Sequence, residues 1–306
     1  MSNYITTATL NLRKEPLKIK GNVLCILPPD TVVQEITTDV QDGFRQVKTI
    51  LSSITVEGFA SQKYLEPTNL TLPDREQPLQ VPLVHYPSGN RIITRNGTGR
   101  VFPLNESGIL KPDLTKNPNA DDRKKGIHDV VNFLDVERSI RYAPDSKNTF
   151  CNIYAYDVTY CLGAYLPRVW WTSDSIVKWQ QGVTVPVQYD KTVTEYTANR
   201  IANWFEKFGS LFGWQRLIDV TRFQQEVNKG QLGILVAQRI NMENPGHIVA
   251  VVPETRIHMA RRSNTGIVIS PLQSEAGRNN RKYSARNAWW QDKTRFKKFG
   301  FWLWKV

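Results

Sequence analysis

Short apolar stretches separated by turn residues occupy the first part of the chain. Ile5 to Leu12 alternates apolar and polar positions, and Val23–Leu27, Thr31–Ile36, Phe44–Val47 and Ile54–Ala60 follow. Arg13-Lys14-Glu15-Pro16, Pro28-Pro29-Asp30 and Gln41-Asp42-Gly43 punctuate them. Short strands with turn signals at this spacing predict a small all-β barrel over residues 1–67. Between 68 and 126 the periodicity is lost, and prolines from Pro73 to Pro118 interrupt the chain. This stretch reads as linker and irregular connection, with room for a hairpin around Asn96-Gly97 between Asn90 and Phe102. From Ile127 the apolar period becomes helical through Val130, Val131 and Leu134. Further helices are predicted from Cys151 to about Leu162, from Thr197 to Phe208, and from Thr221 to Lys229, where Gly230 ends the run. Residues 163–196 form a long insertion carrying Trp170, Trp171 and Trp179. Strands are expected at 233–239, 248–252, 266–270 and 299–306. In the last, Phe299, Phe301 and Leu303 alternate with Trp302 and Trp304. Helices first and an antiparallel sheet afterwards make 127–306 an α+β domain.

The chain of 306 residues is long enough for two or three domains, and its apolar fraction of 40% can build cores. No run of about eighteen apolar residues exists, so no membrane span is expected. The N-terminus has no basic segment followed by an apolar one, so no secretory signal is read there. Net charge changes the picture more. At +12, the chain favours an anionic partner such as nucleic acid, a membrane surface or a cell wall. The excess is concentrated from Arg278 onward, where nine Lys/Arg face one acid, Asp292, with aromatics interleaved. Such tails bind nucleic acid in some proteins. The alternation noted above favours a final strand with a core face and a solvated basic face, so a nucleic-acid partner is not expected.

The three cysteines lie at unrelated spacings without a Cys-x-x-Cys, which argues against a zinc ribbon. Cys25 sits in an apolar strand and reads as a core thiol. Cys161 lies ten residues after Cys151, about 1000° of helical rotation, so it faces elsewhere. Cys151 opens an apolar helix, and His247, in Pro245-Gly246-His247, opens an apolar strand. A thiol needs a base to ionise near neutral pH, and a helix N-terminus assists. Cys151 and His247 are therefore the candidate nucleophile and base, against the alternatives of a buried core cysteine and a strand-capping histidine. A third group must hold the imidazole. If 247–254 and 266–273 form a hairpin across 255–265, a symmetric register sets His247 opposite Gln273, the first choice. Glu275, two residues on and on the same face, is the second, and Glu254 a weaker third. His85, His128 and His258 lack comparable surroundings, and no carboxylate–histidine cluster supports a metal, so neither metal nor other cofactor is expected. Asp157, on another helix face from Cys151, reads as structural. Trp170 and Trp171 stack on sugar rings or pack the insertion down; the residues alone leave both open.

Thr7-Ala8-Thr9-Leu10-Asn11-Leu12-Arg13, Leu27-Pro28-Pro29-Asp30-Thr31-Val32-Val33 and Val56-Glu57-Gly58-Phe59-Ala60 resemble bacterial SH3-like domains, with Phe44 where a Trp is usual. Residues 127–306 resemble the NlpC-like and CHAP-like papain-fold peptidoglycan hydrolases. The resemblance is carried by Thr149-Phe150-Cys151-Asn152-Ile153-Tyr154-Ala155, Pro245-Gly246-His247-Ile248-Val249-Ala250 and Gln273-Ser274-Glu275-Ala276-Gly277. It implies an amidohydrolase or endopeptidase with Cys151, His247 and Gln273 (or Glu275) as its machinery and peptidoglycan as its partner. Tyr142 stands where several members place a tyrosine that binds substrate or shapes the oxyanion site. Asn152 joins Trp170 and Trp171 as a candidate substrate contact. The usual Asp-Cys-Ser signature is absent, since Phe150 and Asn152 flank the cysteine, so the bond cleaved stays open. Action at a bacterial wall without a signal requires lysis, an injection route or a removed leader, as for a phage lysin or a delivered antibacterial effector. The alternative is a wall-binding component of a phage or injection apparatus that does no chemistry.

Overall fold

A computed structural model describes residues 2–19, 21–51, 54–72 and 81–305. The chain divides into two compact units, Met1–Val81 and Pro82–Val306. Pro73 and Pro78 of the expected connection lie outside the described residues.

The first unit is one antiparallel sheet. Its strands are β1 (Asn3–Thr6), β2 (Leu10–Arg13), β3 (Val23–Leu27), β4 (Val32–Gln41), β5 (Phe44–Leu51), β6 (Ile54–Ser61) and β7 (Leu65–Pro67), ordered β3-β2-β6-β5-β4-β1-β7. The Gln41-Asp42-Gly43 turn forms as expected. Asp42 and Gly43 both have positive φ, 49° and 77°, which suits a tight hairpin between twisted strands. One face buries Leu10, Leu12, Leu27, Val33, Val47, Ala60 and Leu65. Phe44 is buried too, while Cys25 is only partly covered at the core margin.

The second unit carries helices α1 (Ala120–Leu134), α2 (Cys151–Cys161), α3 (Ser173–Gln180), α4 (Ala198–Phe208) and α5 (Val220–Val227). The Trp-rich insertion is structured: β8 (Val169–Trp171) pairs with β9 (Val193–Glu195), and α3 lies between them in sequence. The main sheet has strands β10 (Trp214–Leu217), β11 (Leu232–Arg239), β12 (His247–Val251), β15 (Gln273–Glu275), β16 (Arg281–Ser284) and β17 (Phe296–Trp304), ordered β10-β17-β11-β12-β15-β16. A separate ribbon joins β13 (Arg261–Arg262) to β14 (Val268–Ser270). Helix α2 packs on β12, and α4 packs on β11.

Three expectations are corrected here. The final strand runs through the middle of the sheet, between β10 and β11, so Phe301, Trp302 and Leu303 are buried in succession and Phe299 is exposed. From Gly300 to Leu303 both faces of this strand are covered, and its exposed positions, Lys297 and Phe299, are confined to its first half. Second, 266–270 does not pair with the histidine strand. It turns back onto β13, and the chain rejoins the sheet after Pro271 as β15, with Val251 opposite Gln273 and Ala250 opposite Ser274. Third, residues from Pro82 onward belong to this unit without forming strands around Asn96-Gly97. Their backbone groups are taken by side chains instead: Arg141 donates to the Gly99 and Phe102 carbonyls at 2.9 and 2.8 Å, and Asn105 Oδ1 and Glu106 Oε1 accept from the Ile93 and Arg95 amides. Backbone groups satisfied in this way are not available to a hairpin ladder.

Candidate active site

Cys151 is the first residue of α2 and is 4% exposed. The preceding Phe150 provides no side-chain acceptor, so the first N–H groups of the helix keep no capping partner. The Arg100 guanidinium lies 3.7 Å over the Phe150 ring and holds it in place. Such a helix start stabilises negative charge on a sulfur or an oxygen beside it.

His247 enters β12 from a tightly held turn. A Cβ on Gly246 would come within 2.5 Å of Asn199 Oδ1 and 2.8 Å of the Ala237 carbonyl, so only glycine fits ahead of the histidine. Asn199, buried on α4, donates to the Met242 and Asn244 carbonyls and accepts from the Arg239 amide at 2.9 Å. This one side chain ties the helix to both ends of the loop that delivers the imidazole.

The ring has three neighbours. Nε2 meets Glu275 Oε2 at 2.8 Å, and Trp289 packs edge-on with centroids 4.6 Å apart. The Cys151 thiol is the third, close enough to the imidazole to favour its charged form. With Nε2 engaged by Glu275, Nδ1 is the nitrogen left for the sulfur. Burial opposes a charged ring, but the Cys151 sulfur and the Glu275 carboxylate beside it more than reverse it, and the imidazole is pushed up to about 9. A base held at that value between a sulfur and a carboxylate favours the imidazolium.

The structure thus brings together Cys151, His247 and Glu275. Gln273 lies elsewhere: its Oε1 accepts from Trp289 Nε1 at 2.8 Å, and its amide donates to Ser270 Oγ and the Pro271 carbonyl. It steadies the ring that packs on His247 and does not touch the imidazole. The symmetric hairpin register that favoured Gln273 fails because β15, and not β14, is the partner of β12. Glu254 is bound by Arg262, Asn228 and the Ala260 amide, and it anchors the loop beyond the strand.

The expected substrate contacts are not in the cleft. Tyr142 is fully buried and its hydroxyl donates to Asp157 at 2.9 Å. Arg141 completes this cluster, with Nε 2.6 Å from the same carboxylate and both side chains inaccessible. Asn152 donates to the Tyr196 carbonyl at 3.0 Å. Trp170 packs against Trp204, Phe208 and Phe212, and Trp171 donates to the Pro82 carbonyl. A large apolar surface finds cover more readily than it stays open for sugars.

Sequence reasoning missed what does line the cleft. A cavity of about 520 Å³ opens beside His247, Glu275 and Trp289, walled by Lys147, Arg239, Arg278, Arg281, Arg286 and Arg295. The signal for four of these six is the basic stretch that starts at Arg278, which by its alternation reads as a solvated face. The remaining histidines are accounted for by tyrosines: His85 by Tyr156, and His128 and His258 by Tyr283. Among the described residues no group of three or more His, Cys, Asp or Glu is arranged to hold a metal ion, and no helix is long and apolar enough to cross a membrane.

No protein-family model matches the chain, and no curated protein matches it. Among solved structures, NlpC2 from Trichomonas vaginalis aligns over 97% of this chain and 95% of its own, at 12% identity and a TM-score of 0.25. With so loose a superposition, the reading of the site rests on its own geometry.

Proposed function

We propose that the second unit is a papain-like cysteine hydrolase that cleaves an amide bond of peptidoglycan, and that the first unit is an SH3-like module that holds the enzyme at the wall. The observation that carries the chemistry is the arrangement of a helix-terminal thiol, an imidazole against it, and a carboxylate 2.8 Å from the far ring nitrogen. The assignment of peptidoglycan as substrate rests on the motif resemblance and on the basic cleft.

In this reading the Cys151 thiolate attacks the amide carbonyl carbon, forming a C–S bond, and the carbonyl oxygen takes the negative charge. Backbone N–H groups at the start of α2, Cys151's own among them, receive that oxyanion. The His247 imidazolium gives its proton to the amide nitrogen as the C–N bond breaks, and the amine leaves. The neutral imidazole then takes a proton from water, the hydroxide adds to the thioester carbon, and the C–S bond breaks to release the acid and restore the thiolate–imidazolium pair. Glu275 orients the ring and stabilises it when charged.

The test is digestion of purified sacculi followed by mass spectrometry of the released muropeptides. Wild type is expected to release new N-termini or lactyl ends, and Cys151→Ala none. Equal release by both proteins overturns the catalytic assignment, and sacculus binding without release by either supports a wall-binding component instead.

A further inference from the structure

Six cations line the cleft beside the candidate active site, and Glu275, the acid among its lining residues, is already engaged by His247. Among the described residues none of the six forms an ion pair with a carboxylate within 4 Å. Arg239 and Arg278 are nevertheless held in place. Arg239 donates to the Pro245 carbonyl at 2.9 Å and lies 4.7 Å over the Phe296 ring, while Arg295 lies 5.7 Å from the same ring. Burial and the nearby charge of Arg295 both weigh against the Arg239 cation, and Asp292 only partly offsets them. Arg278 is committed to the carbonyls of Asp145, Ser146 and Lys147, which sets the Lys147 loop against the cleft. Like charges fixed near one another without counter-charges repel, and an anion of the right spacing relieves that repulsion.

The sheet order separates the cations into two groups. Arg239 ends β11 on one side of the histidine strand, and Arg281 begins β16 two strands away on the other. With roughly 4.8 Å between neighbouring strands, the groups are on the order of 14 Å apart. An extended peptide covers that distance in about four residues.

We infer that the cleft selects its substrate by charge: the amide presented to Cys151 lies in an extended peptide with carboxylates on both sides of it, one received by Arg239 and Arg295 and the other by Arg281 and Lys147. This deepens the hydrolase reading and rests on it for the position of the amide. The chemistry that fits is a short acidic peptide. A neutral or apolar chain would leave the cations unpaired.

The experiment compares a synthetic acidic stem tetrapeptide with the same peptide amidated at its free carboxylates. Turnover is measured with wild type, Arg295→Gln and Arg281→Gln, and binding with Cys151→Ala. Neither substituted arginine side chain is held by a hydrogen bond that its loss would break. Amidation is expected to lower kcat/KM roughly 10- to 100-fold, the scale of a lost charge-assisted contact, and each Arg variant to lower it mainly through KM. Raising NaCl should weaken the acidic peptide more than the amidated one. Preferential binding of the acidic peptide by Cys151→Ala, without turnover by wild type, would retain charge selection and reject the hydrolase reading. Equal turnover of both peptides, unchanged in the Arg variants, would overturn charge selection and leave the hydrolase standing. Inhibition by a glycerol phosphate oligomer with no effect of amidation would also overturn it, by assigning the cations to a phosphate polymer.

Discussion

The two ends of α2 carry the same side chain in opposite circumstances. Cys151 begins the helix, next to an imidazole and the edge of a charged cleft. Cys161 ends it, 1% exposed, where burial first and the Asp157 carboxylate second push its thiol up to about 12. One end sets the sulfur beside a raised imidazole, and the other seals it where a charge is disfavoured. Eleven residues of one helix show that a cysteine's chemistry is set by the helix end it occupies and the charge it faces. Asp157 belongs to the inert half: it receives Arg141 and Tyr142 inside the fold and sends nothing toward the cleft.

The contrast breaks most directly through the cysteines themselves. Cys151→Ala is expected to reduce muropeptide release by roughly 10⁴-fold or more, while Cys161→Ala keeps kcat within about threefold. Iodoacetamide at pH 8, read by peptide mapping, should label Cys151 and spare Cys161. Comparable losses from both substitutions would end the distinction. Asp157→Asn comes next. Leaving Arg141 buried without its carboxylate is expected to cost about 3–5 kcal/mol, seen as a fall in the melting temperature of the second unit by calorimetry. A small effect would show that the pair is not what holds the helix.

Glu275→Gln sharpens the reactive end. Keeping the size and removing the charge should lower kcat roughly 10- to 100-fold, a loss that Gln273→Glu, away from the ring, does not restore. The pH dependence gives a second reading. His247 sits above its ordinary value of 6.5, at about 9. Its contribution to stability is therefore complete below about 6.5 and lost as pH rises through about 9. Wild-type kcat/KM should fall above about pH 9 as the imidazolium is lost, and in Glu275→Gln that limb should move to lower pH. An unchanged limb would separate the carboxylate from the titration. The smallest effect is expected from Tyr154→Phe. One turn into α2, its hydroxyl meets Ser274 Oγ at 2.6 Å, next to Glu275 in sequence. Removing it should cost about 1 kcal/mol in thermal stability and raise the sensitivity of kcat to temperature.

Cys151 and His247 are legible in the sequence because each depends on local pattern: a polar turn, then an apolar element of clear period. Strands β2 to β6, β11, β12, β14 and β17 and the helices α2, α4 and α5 are legible for the same reason, whereas the short strands β7 to β10, β13, β15 and β16 carry no such pattern. Glu275 in place of Gln273 was not, because the choice depends on which distant segment pairs with β12. The excursion of β13 and β14 before Pro271 moves the partner strand along the chain, and no local signal marks it. Tyr142, Trp170 and Trp171 look like contacts for a ligand only until the neighbours that cover them are known. The cationic cleft is assembled from Lys147, Arg239, Arg278, Arg281, Arg286 and Arg295, and the first two lie outside the basic stretch that the sequence displays.

The grip of Arg141 on the Gly99 and Phe102 carbonyls has a practical outcome for anyone trimming the protein. A fragment begun at Ile127, where helical periodicity first appears, would strip two acceptors from a sealed guanidinium and uncover the apolar seats of Val84, Ile93 and Leu104. A fragment begun at Pro82 keeps that strap and is the one to express.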